Sequence, residues 1–289
     1  MNETPSVVRA ASTSASYEPA AHLRRYLRRY RFFDLDARRI YTVPVWTRSM
    51  MLFCYGEFFS VRCEDGRTLL PLGVSVLGPT TRPLSYGGAT GRYRVAAAEL
   101  QPLALRALTQ QDVTSFTDRL VDAAAVCGAG PARLVTEALR DAQDDSSRCR
   151  VLDQFFTAEL ADVDAWNEPA ILDALRRIHA DAHSIPLSEL VKLSGMPERT
   201  FRRRFAGATG LSPRVYMRTL RAERALALLY HEPQTSIAEV VRILRFTDRP
   251  HLTRELKAAT RATPAQLRQT RDTRLGPLVD FFTFTWASF

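Results

Sequence analysis

Two phenylalanines enclose three consecutive arginines in the segment ERTFRRRFAGATG, residues 198–210. Phe201 and Phe205 are four residues apart, so in an α-helix they lie on one face, towards a core. The arginines that then point away from this core are Arg199, Arg202 and Arg203, with Arg204 at another angle. A guanidinium can donate two hydrogen bonds to O6 and N7 of guanine in the major groove of DNA. The segment therefore predicts a DNA recognition helix, with a solvated arginine face as the alternative.

A second segment, TDRPHLTRELK, repeats this arrangement at residues 247–257. Leu252 and Leu256 are again four residues apart and predict the buried face. The polar residues expected on the opposite side are Arg249, His251, Thr253 and Arg254. The repetition favours a pair of recognition helices over a solvated arginine face.

Each of these segments follows a shorter predicted helix and a turn. PLSELVKLSG has apolar residues at helical spacing and a glycine, Gly195, that can end the helix. In SIAEVVRILRF, Ser236 and Glu239 have the spacing of a capping box. The order of helix, turn and recognition helix therefore occurs twice.

One long predicted helix joins the two copies. Ser212 is a favourable N-cap, and Pro213 suits the first helical position. From Pro213 to His231 this helix has 19 residues, so it measures about 28 Å at about 1.5 Å per residue. One turn of B-DNA is about 34 Å. The spacing predicts that the two recognition helices enter successive major grooves on one face of the duplex.

The charge of the chain is concentrated around these helices. Residues 171–274 hold 20 of the 40 Lys and Arg residues and only 10 of the 31 acidic residues, whereas residues 1–170 hold 20 of each sign. A local excess of +10 favours a polyanionic partner. The alternative from charge alone is a basic but inert surface.

Several function classes are disfavoured by what the sequence lacks. No apolar run reaches the roughly 20 residues that span a membrane, and no secretory signal is apparent. The four cysteines have no C-x-x-C pair and predict reduced thiols in a cytoplasmic protein. His22 is the only histidine before His179, so we expect no catalytic site, no cofactor and no metal centre in this half. His179 and His183 are spaced for a metal on a helix, but pairing with neighbouring side chains or solvation is the favoured interpretation.

The first half predicts a small β-sheet or barrel followed by helices. Short apolar runs alternate with turn signals, among them EDG and YGGATG, and the helical segments include SFTDRLVDAAAVC and RCRVLDQFFTAELADV. Residues 1–20 are rich in Ala, Ser and Thr and predict disorder. The tail DFFTFTWASF alternates with period two and predicts a strand that packs on another surface.

Residues 184–271 resemble the double helix-turn-helix domain of the AraC/XylS family of transcription regulators. The resemblance is carried, in order and at matching spacing, by Leu190, Gly195, Met196, Phe201, Arg203, Phe205, Gly210, Pro213, Tyr216, Leu220, Arg221, Ala225, Leu229, Ile237, Phe246, Lys257, Thr263, Pro264 and Arg268. It implies sequence-specific DNA binding by Arg199, Arg202 and Arg203 in the first recognition helix, and by Arg249, His251, Thr253 and Arg254 in the second.

The second half of this region departs from the family pattern. Arg245 and Arg261 stand where glycines are usual, and Leu252 and Leu256 where an aromatic residue is expected; in the first half Pro197 replaces the usual serine cap. If Arg245 takes a positive φ, the position costs about 1 kcal/mol. We therefore expect the second helix to contribute mainly phosphate contacts and the first to dominate specificity.

The sequence as a whole predicts an α+β protein with a β-rich, barrel-like and partly helical N-terminal domain and an all-α C-terminal domain. Residues 22–165 resemble the β-rich domain that accompanies some AraC-type regulators, which implies effector sensing or dimerisation. The expected divisions are a disordered start (1–20), a sensing or dimerisation domain (21–165), the DNA-binding domain (166–274) and an aromatic tail (275–289).

The predicted function is that of a cytoplasmic transcription regulator that is not an enzyme and does not contact a membrane. Double-stranded DNA is the expected partner; RNA polymerase, a small-molecule effector and a second copy of the chain are further candidates. The alternative is a degenerate double helix-turn-helix protein that binds other proteins and has little specific affinity for DNA, which the departures at Arg245, Leu252 and Arg261 suggest.

Overall fold

The computed structural model describes residues 16–36, 41–56, 61–62, 68–69, 73–86, 92–161, 168–180 and 185–269. Within them, residues 16–161 contain every strand and are called the sheet region. Residues 168–269 contain helices and the turns between them, and are called the helical region. The predicted α+β class is confirmed. The aromatic tail, His183 and the turns at residues 64–66 and 87–91 lie outside the described residues.

The sheet region is built on antiparallel pairing. Its strands are β1 (Ser16–Tyr17), β2 (Leu27–Asp36), β3 (Tyr41–Val43), β4 (Met50–Cys54), β5 (Val61–Arg62), β6 (Thr68–Leu69), β7 (Val74–Leu77), β8 (Leu84–Tyr86), β9 (Arg92–Leu100) and β10 (Leu120–Asp122). Six of them form one sheet in the order β1-β2-β9-β4-β7-β10, while β3 pairs with β8 and β5 with β6. Strands that are neighbours in this sheet are thus often far apart in the chain.

Helices cover one face of the six-stranded sheet. They are α1 (Ala104–Thr109), α2 (Ala124–Cys127), α3 (Ala129–Asp141) and α4 (Asp145–Glu159). Because side chains alternate along a strand, Met51 and Phe53 of β4 face these helices, and Phe53 packs edge-on against Phe155 and Phe156 of α4. Met50 lies on the other face of the sheet, in a smaller core around Trp46.

Two expectations for this region were wrong in part. Residues 16–20 are ordered, because β1 pairs with β2 and the Tyr17 hydroxyl donates to Asp145 at 2.8 Å; residues 1–15 lie outside the described chain. The segment SFTDRLVDAAAVC is not one helix, because β10 interrupts it and pairs with β7. A single helical turn at Val113–Phe116 ends within the segment. Asp118, at φ 56°, follows it, and its carboxylate accepts a hydrogen bond from the Thr81 amide at 2.7 Å.

The helical region consists of seven helices in the described chain. They are α5 (Pro169–Ala180), α6 (Leu187–Ser194), α7 (Glu198–Thr209), α8 (Pro213–His231), α9 (Ile237–Ile243), α10 (Arg249–Thr260) and α11 (Pro264–Gln269). The first half of α8 packs into a core with Phe201 and Phe205, and its second half into a core with Leu252 and Leu256. None of the described helices is long and apolar enough to span a bilayer.

The helix signals read from the sequence are confirmed. Gly195 and Gly210 have φ of 66° and 78° and end α6 and α7. The Ser212 side chain caps α8, and Ser236 forms the capping box of α9. Arg245, which stands where the family pattern has a glycine, takes a positive φ of 50°.

Candidate nucleic-acid interface

Two aromatic side chains fix the orientation of α7. Phe201 and Phe205 are both 0% exposed, and their ring centroids lie 5.8 Å apart. Phe205 also packs edge-on against Tyr216 of α8, at 5.5 Å. With this face buried, the rest of the N-terminal half of α7 faces outward.

The three arginines predicted for the first recognition helix all lie on that outward surface. Arg199 and Arg203 are exposed, and within the described part of the chain neither forms a hydrogen bond or an ion pair. Arg202 pairs with Glu198 one turn earlier, and both side chains remain about half exposed. Arg204 extends sideways to Glu168, with 3.4 Å between Nη1 and Oε2. Arg199 and Arg203 are thus available to bind an anion. Arg202 must first give up its ion pair with Glu198, but an exposed ion pair contributes little stability.

The second recognition helix is anchored in the same way but presents fewer free side chains. Leu252 and Leu256 are 0% exposed. Arg249 and Arg254 are exposed, as predicted. The Thr253 hydroxyl instead donates to the Arg249 carbonyl at 2.9 Å, within the helix.

The fourth residue predicted for this helix, His251, is partly buried. Its Nδ1 lies 3.2 Å from the Thr247 hydroxyl, and its ring packs edge-on against Phe246 at 5.4 Å. Its backbone amide donates to the N-cap residue Asp248 at 2.6 Å. His251 therefore stabilises the start of α10 in the free protein, and the outward surface of this helix consists mainly of Arg249 and Arg254.

His179 is not placed as a metal ligand. Its Nε2 lies 2.9 Å from the hydroxyl of Tyr216. Burial, together with the nearby Arg48 and Arg224, lowers the pKa of His179 to about 2, so the ring is neutral. The described residues contain no group of three or more His, Cys, Asp or Glu side chains that could hold a metal.

The middle of α8 carries charged residues that sequence analysis did not single out. Glu223 and Arg224 are 6% and 8% exposed. Arg224 donates to the His179 carbonyl, and Glu223 accepts the backbone amide of Thr47 in the sheet region at 2.5 Å. Burial raises the pKa of Glu223 to about 7, against an opposing effect of Arg48. Charged residues on a helix are usually solvated, so no local pattern marked them as contacts.

Residues 190–270 match the helix-turn-helix domain family. The chain carries an AraC-type helix-turn-helix domain. Apart from the first three residues of α6, both copies of the motif and the spacer α8 fall within the matched segment. The AraC-type domain thus includes all seven residues predicted to contact DNA. The chain belongs to the general class of DNA-binding transcription regulators.

The fold resembles that of ToxT from Vibrio cholerae. The apo form of a ToxT point variant aligns with a TM-score of 0.50 at 10% identity, over 83% of this chain and 97% of that one. ToxT with an unsaturated fatty acid bound aligns at 0.49 and 10%, over 82% and 93%. The xylose-binding transcription activator XylR aligns at 0.32 and 20%, over 38% of this chain and 29% of that one. The first of these shows a shared two-part architecture. No curated protein sequence matches this one significantly.

Proposed function

We propose that this protein regulates transcription by binding a specific double-stranded DNA site, with α7 and α10 in successive major grooves. The observation that carries the proposal is the repeated arrangement itself: two helices, each anchored by a buried i, i+4 pair, present arginines outward from one 19-residue spacer. Such helices enter the major groove with their N-terminal residues towards the base edges. The excess of basic residues around them supplies the salt-dependent contact with phosphates.

The two recognition helices are expected to contribute unequally. In α7, Arg199 and Arg203 are unengaged and Arg202 is bound only to an exposed carboxylate. In α10, the His251 ring is already hydrogen-bonded to Thr247, just before the helix, and the Thr253 hydroxyl to the Arg249 carbonyl within it. Residues that must first break such contacts gain less from a base edge. We therefore propose that α7 reads bases and that α10 mainly contacts phosphates.

A selection from random duplex DNA with the full-length chain tests this proposal. It should recover a site with two half-sites about one helical turn apart. Arg203→Ala should then weaken binding to that site by about 1–3 kcal/mol and relax the base preference at one position. Arg249→Ala should instead weaken binding to all sequences and reduce the slope of log K against log salt concentration by about 1. Arg140→Ala, an exposed arginine on α3, removes the same charge away from the proposed interface and serves as the control.

Recovery of no preferred sequence would contradict the proposal and favour the protein-interaction alternative. Equal loss of sequence preference in Arg203→Ala and Arg249→Ala would contradict the division of roles. The departures that suggested the alternative are accommodated by the fold, since Arg245 and Arg261 adopt the left-handed conformation that a glycine would take, and α10 forms between them.

The remaining partners are proposed on less direct grounds. A transcription regulator acts where the DNA is, so we propose a cytoplasmic location and no enzymatic activity. A small-molecule effector is proposed from the family resemblance alone, because the cleft lined in part by Thr47, Arg48, Gln101, Leu103 and Tyr216 has room for little more than a water molecule. Contacts with RNA polymerase and a second copy of the chain remain predictions from the family resemblance.

A further inference from the structure

The sheet region covers the C-terminal end of the first recognition helix. The Thr117 hydroxyl donates to the carbonyl of Gly210, the residue that ends α7, at 2.7 Å. The approach is so close that a Cβ on Gly210 would lie 2.6 Å from Pro79 Cγ and 2.8 Å from Thr117 Oγ1. This glycine is therefore needed for the contact as well as for its positive φ.

The sheet region also covers the corresponding end of the second recognition helix. Arg261 ends α10 at φ 64°, as Gly210 ends α7, and its Nη2 donates to the Pro83 carbonyl at 3.4 Å. The Val45 amide donates to the Ala259 carbonyl at 2.9 Å, and these two side chains are buried together with Ala222 of α8. An arginine in a left-handed conformation is strained, but here its side chain reaches a contact that glycine could not make.

These contacts come from two segments that are joined to each other. The docking loops, residues 44–48 and 78–83, are linked by a bridge in which Trp46 and Thr80 exchange backbone hydrogen bonds of 3.1 and 2.8 Å. Asp118 also holds Thr81, so the second loop is fixed to the turn that carries Thr117. One connected surface of the sheet region therefore contacts both recognition helices.

A third contact lies between the other two. The Thr47 amide donates to Glu223 in the middle of α8, the spacer between the two motifs. The docking loops and the Thr117 turn thus bridge the first motif, the spacer and the second motif. A body attached at three such points resists bending of the spacer and rotation of one motif against the other.

We propose that the sheet region sets the relative orientation of the two recognition helices, and thereby the spacing of half-sites that the protein accepts. The inference deepens the proposed function and rests on it. Because the orientation of the two helices is fixed before binding, no conformational entropy is lost in ordering them on a correctly spaced site. A site of another spacing is rejected, because the two helices cannot both reach their half-sites. Release of the docking loops would leave the base contacts of α7 intact and relax the choice of spacing.

A pair of matched double variants of the full-length chain tests the inference. Thr117→Val with Arg261→Gly removes the contacts to Gly210 and Pro83. Thr114→Val with Arg245→Gly makes the same substitutions at exposed positions whose side chains form no hydrogen bond or ion pair with the docking loops in the described chain. It removes the same charge and the same positive-φ strain. Differences between the two double variants therefore report on the docking contacts.

The first measurement is affinity for duplexes in which 0, 1, 2 or 3 base pairs are inserted between the selected half-sites. For the wild type and the Thr114/Arg245 variant, two added base pairs should weaken binding at least about tenfold, comparable to a mismatched base pair. For the Thr117/Arg261 variant, the loss should be less than about threefold. Identical spacing profiles in all three proteins would overturn the inference, because α8 alone would then set the spacing.

The second measurement needs no DNA. Hydrogen exchange at the Val45 and Thr47 amides, which donate to Ala259 and Glu223, should be at least about tenfold faster in the Thr117/Arg261 variant than in the control variant. Rapid exchange at both amides in the wild type would overturn the inference by showing that the contacts do not persist. A wild type that exchanges slowly yet prefers no DNA site would instead overturn the proposed function, and with it the role of the contacts in spacing.

Discussion

Glu223→Gln should change how the stability of the protein depends on pH. The side chain of Glu223 is buried between α8 and the docking loops, and the Thr47 amide donates to its carboxyl group at 2.5 Å. Burial raises its pKa from the usual 4.5 to about 7, although Arg48 favours the charged form. Glutamine has nearly the same shape and keeps an oxygen that can accept the Thr47 amide, but it carries no charge at any pH.

The size of the effect follows from the two pKa values. A difference of about 2.5 pKa units means that folding is roughly 3 kcal/mol less favourable with Glu223 charged than with Glu223 neutral. Because the folded-state pKa is the higher one, the stability contributed by Glu223 is fully present below about pH 4.5 and is lost as the pH rises through about 7. The loss comes from charging a buried group, so the variant should not suffer it.

Urea unfolding of the full-length protein between about pH 5.5 and pH 8 measures this difference. The stability of Glu223→Gln relative to the wild type should rise by about 2 kcal/mol across this range. Glu239→Gln is the control, since the capping box lowers the pKa of that exposed carboxylate and its titration falls below the range. A stability difference for Glu223→Gln that does not change with pH would refute the reasoning, because Glu223 would then be charged in the folded protein throughout.

Three further predictions, made with four substitutions, concern the backbone and the core of the helical region. Arg245→Gly should raise the free energy of unfolding by about 1 kcal/mol by removing a side chain from φ 50°, measured by urea unfolding; no gain would mean that the arginine side chain stabilises the turn. Gly210→Ala should cost more stability than Gly195→Ala, because both residues have positive φ but only the Cβ at Gly210 would meet Pro79; equal losses in thermal unfolding would show that the contact yields freely. Phe201→Ala should cost about 3–5 kcal/mol, and a smaller loss would mean that the core around α7 collapses into the space.

The elements of the helical region were predictable because their signals are local. A buried pair such as Phe201 and Phe205 and a capping box such as Ser236 and Glu239 involve residues within four positions of each other. Their conformations follow from backbone geometry whatever the rest of the chain does. The same reasoning identified the outward arginines of α7, whereas a positive φ at Arg245 was suggested only by the resemblance, which has a glycine at that position.

The contacts between the two regions were not predictable, because they join residues that are distant in the chain. Thr117 is 93 positions from Gly210, and Thr47 is 176 from Glu223. The sequence predicts only that Gly210 ends a helix and that Glu223, as a charged helix residue, is exposed to solvent. The strand β10 was missed for a similar reason, since LVD forms a strand only because β7 offers an unpaired edge.

The two ends of α7 are constrained by different partners: the N-terminal half by the DNA that it binds, and the C-terminal end by its contacts with the sheet region. Substitutions among the exposed arginines at the start of the helix change what it can bind, but they touch neither the buried phenylalanines nor the docked end at Gly210. The DNA preference of such a protein can therefore diverge through point substitutions while communication with its other domain is inherited unchanged. Transplanting the entire helix from a relative would not share this freedom, because the transplanted end would also have to fit Pro79 and Thr117.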